Sequence, residues 1–192
     1  GELMRAYYSK DGSKEVKSAI SGTTSDAIKR TGALSASDTK AYTQVQSTSD
    51  DLKESADKLL AGGNKSAFQK KDITTKDENG LESTTNDYDR AGIYSAVSSF
   101  IKDYNSVVDA SGNVDSTNIS NRVANMENTT AIHEKALGKL GITINKDQTL
   151  SIDKDTFMKA DMDAAKSLFQ GSGSYAYSVS ASASMINYNA DY

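Results

Sequence analysis

Residues 136–169 read A-L-G-K-L-G-I-T-I-N-K-D-Q-T-L-S-I-D-K-D-T-F-M-K-A-D-M-D-A-A-K-S-L-F. A helix ends at Gly141, and two short alternating segments follow, Ile142 with Ile144 and then Leu150 with Ile152. Residues 145–149 between them are polar and suit a tight reversal, so the unit reads as a β-hairpin. Asp153 or Asp155 can cap a following helix. Asp161 or Asp163 can cap a second, which buries Leu168 and Phe169 before Gly171 ends it.

Either side of this hairpin the apolar period changes from two to three and four. One stripe runs Tyr42, Val45, Ser49, Leu52, Ala56 and Leu59 and stops at Gly62-Gly63. A second runs Ile93, Val97, Phe100, Tyr104 and Val107, stopping in residues 109–113. A third runs Ile119, Val123, Met126, Thr130, His133, Leu137 and Leu140, entered through the N-cap candidates of residues 115–118. The tail repeats the pattern in Ala176, Val179, Ala183, Ile186 and Ala190. Stripes of two to three heptads predict a mainly α fold: a helical bundle or coiled-coil-like domain with one short β-hairpin. Phe100, Tyr104, Ile119, Val123, Met126, Leu137, Leu140, Leu168 and Phe169 are its expected shared core.

Residues 63–87 differ in character, being rich in Lys, Asp, Thr and Asn. They read as a polar connection, either a loop or a loop with a hairpin around Glu78-Asn79-Gly80. The first forty residues are sparse in apolar groups, with short helices expected near residues 16–20 and 25–31. The organisation expected is N-terminal helices in 1–62, the connection in 63–87, a helical core with the hairpin in 88–171, and a C-terminal helix or frayed tail in 172–192, all within one domain. The first and last stripes are built from small residues. Ala176, Val179, Ala183 and Ile186 with Tyr42, Val45 and Leu52 are therefore the candidate interaction surface. The tail is expected to fray, or to order on the chain's own first helix or a neighbour's.

The chain has 192 residues, long enough to bury a real core. Apolar residues make up 36%, and serine with threonine about a fifth. A formal charge of −4 leaves no basic footprint for nucleic acid. There is no cysteine, which excludes disulfides and thiol chemistry, and no proline to break long helices. No apolar run approaches the roughly 20 residues that a membrane span needs. Gly1-Glu2-Leu3-Met4 shows no signal-peptide pattern and reads as an artificial start.

Catalytic chemistry finds little to work with. His133 is the only histidine and sits on a helix stripe, as a structural histidine does. Asp109, Asn113 and Asp115 lack the spacing of a calcium loop. Asp153, Asp155, Asp161 and Asp163 stand where helix caps belong. Sequons at Asn64, Asn118 and Asn128 are of the number chance supplies in so polar a chain. No catalytic residue, metal or cofactor is expected.

From Phe100-Ile101-Lys102-Asp103-Tyr104-Asn105, through Leu140-Gly141-Ile142-Thr143 and Leu150-Ser151-Ile152-Asp153, to Ala165-Lys166-Ser167-Leu168-Phe169 and the break at Gly171-Ser172-Gly173, the order resembles the C-terminal part of bacterial flagellar filament cap proteins (hook-associated protein 2). The likeness covers residues 91–185, about half of the chain. The family's hairpins usually carry a turn glycine, where this chain has Asn145-Lys146-Asp147-Gln148. Its β-rich outer domains have no room here, so the resemblance implies a fragment or a short relative. It further implies a core like that of flagellin and cap proteins, and a non-enzymatic structural component of the bacterial flagellum. Such a protein is extracellular, exported without a cleaved signal peptide, and partnered by itself, flagellin and other hook-associated proteins. The alternative is a secreted or surface-exposed helical binding or adhesion module.

Overall fold

A computed structural model describes residues 34–191, with the backbone of two further short segments, Ser18–Ala19 (β1) and Arg30–Thr31 (β2). The helices expected near 16–20 and 25–31 otherwise lie outside the described residues. Where those stretches are described, β1 and β2 pair antiparallel instead of forming helix.

Four long helices form the frame: α1 Ala36–Leu60, α2 Arg90–Ser111, α3 Thr117–Ile132 and, after the shorter elements, the C-terminal helix Tyr175–Ala190. Each begins at a side-chain cap. Ser35, Asp89, Ser116 and Ser174 accept hydrogen bonds from the first-turn amides of Asp38, Gly92, Ile119 and Tyr177, satisfying donors that helix geometry leaves free. Between α3 and the last helix lie α4 Glu134–Lys139, strands β5 Ile142–Ile144 and β6 Leu150–Ile152, α5 Lys154–Lys159 and α6 Met162–Phe169; the last helix is therefore α7. The third stripe is not one helix. His133 departs from helical geometry (ψ 13°) and divides it into α3 and α4.

Neighbouring long helices run antiparallel. Asn187 Nδ2 on α7 donates to Gln46 O on α1 at 3.0 Å, while Ser180 Oγ, two turns earlier, meets Asp57 Oδ1 at 2.6 Å. On α7's other flank, Arg122 Nε reaches Asn189 Oδ1 at 3.2 Å. α2 lies antiparallel along α1, so the frame is a four-helix bundle with α1 touching α2 and α7, and α3 closing against both. All nine residues of the expected core are buried.

The β5–β6 hairpin falls where the alternation places it, with Ile142 opposite Ile152 and Ile144 opposite Leu150. Its glycine-free turn is accommodated by Gln148, which adopts a left-handed conformation (φ 73°). The Asp147 carboxylate holds the turn by accepting from the Thr149 amide at 3.1 Å. Gly141 must be glycine: at φ +81° a Cβ would lie 2.9 Å from the Asp153 carbonyl oxygen.

The polar connection contains a second hairpin, β3 Lys71–Lys76 with β4 Glu82–Asp87, so of the two readings of this stretch the hairpin stands. Its turn centres on Gly80, as the Glu78-Asn79-Gly80 pattern predicts.

Of the courses open to the tail, the structure takes the second: α7 does not fray but docks on α1 of the same chain, with Ala176, Val179, Ala183, Ile186 and Ala190 fully buried. Short side chains let the two backbones approach closely, and Tyr175 at the start of α7 adds a large buried ring outside the counted stripe. In dilute monomeric protein, the amides of residues 179–190 should exchange as slowly as those of α1, measured by hydrogen exchange. Phe100 is 1% exposed and packs edge-on against both Phe169 and Tyr175, so Phe100→Ala should cost about 3–5 kcal/mol in denaturant unfolding.

Candidate functional site

Three helices meet at one buried hydroxyl. Thr130 Oγ1 on α3 lies 2.8 Å from the Tyr104 hydroxyl on α2 and 2.8 Å from the Tyr175 hydroxyl on α7. It also sits 3.0 Å from the Met126 carbonyl one turn back. A hydroxyl has one proton and two lone pairs. Thr130 therefore donates to Met126 and accepts from both phenols, with no capacity left over. Burial pushes the Tyr104 phenol up to about 12, and burial, with Tyr104 beside it, holds Tyr175 well above the ordinary range. The rings of Phe100, Phe169 and Tyr175 stack edge-on around this node, and His133 tilts against Tyr175 at 5.1 Å.

One residue beyond Tyr104, Asn105 turns the opposite way. Its amide accepts from Leu150 N at 2.7 Å and donates to Leu150 O at 2.9 Å, so a single side chain replaces a missing strand along the edge of β6. Below it, Arg90 Nη1 donates to the carbonyls of Met158 (2.9 Å) and Ala160 (2.7 Å), closing the end of α5. The Tyr88 hydroxyl bonds the Asp163 carboxylate at the start of α6. The F-x-x-x-Y-N element, the L-S-I-D strand and the L-F helix thus touch one another in space. Phe100 meets Phe169, Tyr104 anchors the bundle and Asn105 holds Leu150.

One aspartate of each acidic pair is the cap, Asp153 accepting from Thr156 N at 3.0 Å and Asp161 from Asp163 N at 2.9 Å, while Asp155 and Asp163 lie in the first turns. Hydrogen bonds from the Thr156 hydroxyl and amide hold the Asp153 carboxyl below its ordinary range, which suits a fixed anion at a helix start rather than an acid–base group. His133 is half-buried, its Nδ1 2.9 Å from the Thr129 carbonyl. Among the described residues no three His, Asp or Glu side chains converge as metal ligands. No described helix is long and apolar enough to cross a membrane.

The candidate interaction surface is placed inside the molecule. Ala176, Val179, Ala183 and Ile186 pack with Val45 and Leu52 in the α1–α7 seam, all fully buried, and Tyr42 is half-buried at the seam's end. Their small size reads as weak burial in the sequence because it hides the fact that each face fits the other. What faces outward on α7 is a different stripe, Tyr177, Ala181, Met185 and Tyr188, on a helix with no charged residue. That absence of charge is the signal for it in the sequence. No family model, no curated protein and no solved structure matches the chain.

Thr130→Val should leave two buried phenols without an acceptor and cost about 1–3 kcal/mol for each, partly recovered when Tyr104→Phe and Tyr175→Phe are added. The pH dependence follows from the raised Tyr104 phenol. Its contribution is fully present below pH 10.0, where it is protonated folded or unfolded, and is lost as pH rises towards about 12, because the unfolded chain gives up the proton first. Unfolding midpoints should therefore fall across that window, and Tyr104→Phe should flatten the fall.

Proposed function

We propose that this chain is a non-enzymatic structural protein of the bacterial flagellum, exported without a cleaved signal peptide. On this reading it acts as a capping or hook-associated protein that assists filament assembly through self-association and contact with flagellin. The observation that carries this is the convergence of Phe100, Tyr104 and Asn105 with Leu150 and Phe169. The short elements that resemble cap proteins in sequence order form one physical unit, which chance likenesses scattered along a chain have no reason to do. Among the described residues the interior is filled by side chains that pack and cap, and two clefts along α1 are open furrows lined largely by polar side chains.

A second reading, a surface-exposed binding or adhesion module, draws on the β3–β4 hairpin. It is exposed along nearly its whole length, with Leu81 at its tip 69% exposed.

Sedimentation of the purified chain over a wide concentration range, alone and with monomeric flagellin, tests the proposal. Concentration-dependent oligomers and co-sedimentation with flagellin are expected. A chain that stays monomeric and ignores flagellin overturns the flagellar reading and leaves the binding module.

A further inference from the structure

The β3–β4 hairpin is a two-stranded ribbon with two open edges. Among the described residues no third strand pairs with either. The turn fixes which backbone groups face out: Asp77 N donates across the ribbon to Leu81 O at 3.0 Å, so residue 77 turns its backbone groups inward, and Leu81 N closes the turn on the Asp77 carboxylate at 2.9 Å. Pairs alternate along an antiparallel ladder. With Thr75 opposite Ser83, Ile73 opposite Thr85 and Lys71 opposite Asp87 bonded inward, Asp72, Thr74 and Lys76 on β3 turn their N–H and C=O outward. Glu82, Thr84 and Asn86 do the same on β4.

These six residues also form one face of the ribbon, and their side chains are already matched across it. Lys76 Nζ meets Glu82 Oε2 at 3.3 Å, Thr74 Oγ1 meets Thr84 Oγ1 at 2.9 Å, and Asn86 Nδ2 donates to Asp72 Oδ1 at 3.0 Å. A second ribbon laid in the same orientation beside the first would bring its β3 edge against the first ribbon's β4 edge in that same register. The three pairings then repeat between copies, Lys76 against Glu82, Thr74 against Thr84 and Asp72 against Asn86, while the outward amides and carbonyls complete a further ladder. The two edges differ in charge. β3 carries Lys71 and Lys76 with Asp72, and β4 carries Glu82 and Asp87 with no cation, so unlike edges attract and two β4 edges repel.

We propose that the occupant of these edges is a second copy of this chain, added β3 edge to β4 edge so that the ribbons of successive copies build one continuous antiparallel sheet. Because the contact joins two different edges it is heterologous, the kind that closes into rings or runs on as a filament. It deepens the self-assembly part of the flagellar reading and rests on it.

Hydrogen exchange on the intact chain reads the proposal amide by amide. At low concentration the amides of 72, 74, 76, 82, 84 and 86 should exchange fast and those of 73, 75, 83 and 85 slowly. On concentration the first set alone should slow, by tenfold or more. Thr74→Pro removes an outward N–H and no backbone bond within the ribbon, and the Thr74–Thr84 hydroxyl contact that it also removes is lost equally in Thr74→Val. It should abolish assembly in sedimentation while the circular dichroism and melting temperature of the bundle stay unchanged, whereas Thr74→Val should still assemble. Lys76→Glu should weaken assembly at least tenfold, and the double exchange Lys76→Glu with Glu82→Lys should restore it. Assembly that survives Thr74→Pro, or that leaves the outward amides unprotected, overturns the ribbon contact while self-assembly stands. A chain that never assembles also overturns it, and flagellin binding, measured separately, then decides the flagellar reading.

Discussion

The first and last helices carry buried stripes made largely of small side chains, and those two stripes face each other. Val45, Ser49, Leu52, Ala56 and Leu59 on α1 lie against Ala176, Val179, Ala183, Ile186 and Ala190 on α7, and every one is fully buried. Short side chains bring the helix axes close, which raises dispersion contact per residue and compensates for low apolar area. Polar latches set the register along the seam: Gln170 to Ala61 at one end, Ser180 to Asp57 in the middle, and Asn187 to Gln46 and Asp50 towards the other. These partners lie more than a hundred residues apart in the chain. The bundle cannot close until its last helix is in place, and the closure entropy of that long loop has to be offset by what the seam buries.

A chain so rich in serine and threonine has to bury some of them. The solution is local. Thr48 bonds the carbonyl of Gln44 at 2.8 Å, Ser49 that of Val45 at 2.7 Å and Thr130 that of Met126 at 3.0 Å, each one turn back along its own helix. The helix interior thereby satisfies the hydroxyl, and the group packs almost as an alanine or valine would. Thr130 is asked to do more. With two phenols on its lone pairs it joins α2, α3 and α7, and a fully satisfied buried polar node of this kind fixes how the helices are rotated against one another more tightly than apolar contact does.

Much of this is legible in the sequence, and what is not shares a cause. Periodicity places the four long helices, the β5–β6 hairpin and the nine core residues, because burial on one face imposes a period whatever the partner is. Gly80 marks the second hairpin's turn. Quantities that depend on a partner are not legible. The α7 stripe looks too weak to hold because its fit to α1 cannot be seen in either segment alone. For the same reason the residues expected to form an interaction surface are instead the internal seam. The Asn105 latch on Leu150 is hidden too: an asparagine on a half-buried helix face declares a partner only when the strand edge beside it is known. Gln148 in a left-handed turn is unreadable, because the Asp147 carboxylate that supports it, not its own residue type, makes that conformation tolerable.

The β5–β6 and β3–β4 hairpins show how the same local unit is put to opposite uses. β5–β6 buries Ile142 and Leu150 on one face, and the Asn105 amide occupies its outer edge by bonding both backbone groups of Leu150. Nothing can add to that strand without displacing a side chain held at two points. β3–β4 has one half-buried apolar residue, Ile73, and its base is tied to the bundle by Lys71 to Asp89 at 3.0 Å and by Lys70 over the Tyr88 ring. An isolated two-stranded ribbon is marginal in water, so this one draws its order from the tie at its base and from its cross-strand pairs. Open edges are normally blunted by proline, bulges or unmatched charge. Here the ladder is regular over six pairs, the chain contains no proline, and Lys76 finds its opposite in Glu82 across the ribbon. A ribbon that has kept both edges regular and complementary, beside a bundle that covers the edge of β6 with its own asparagine, is shaped for contact with something outside itself.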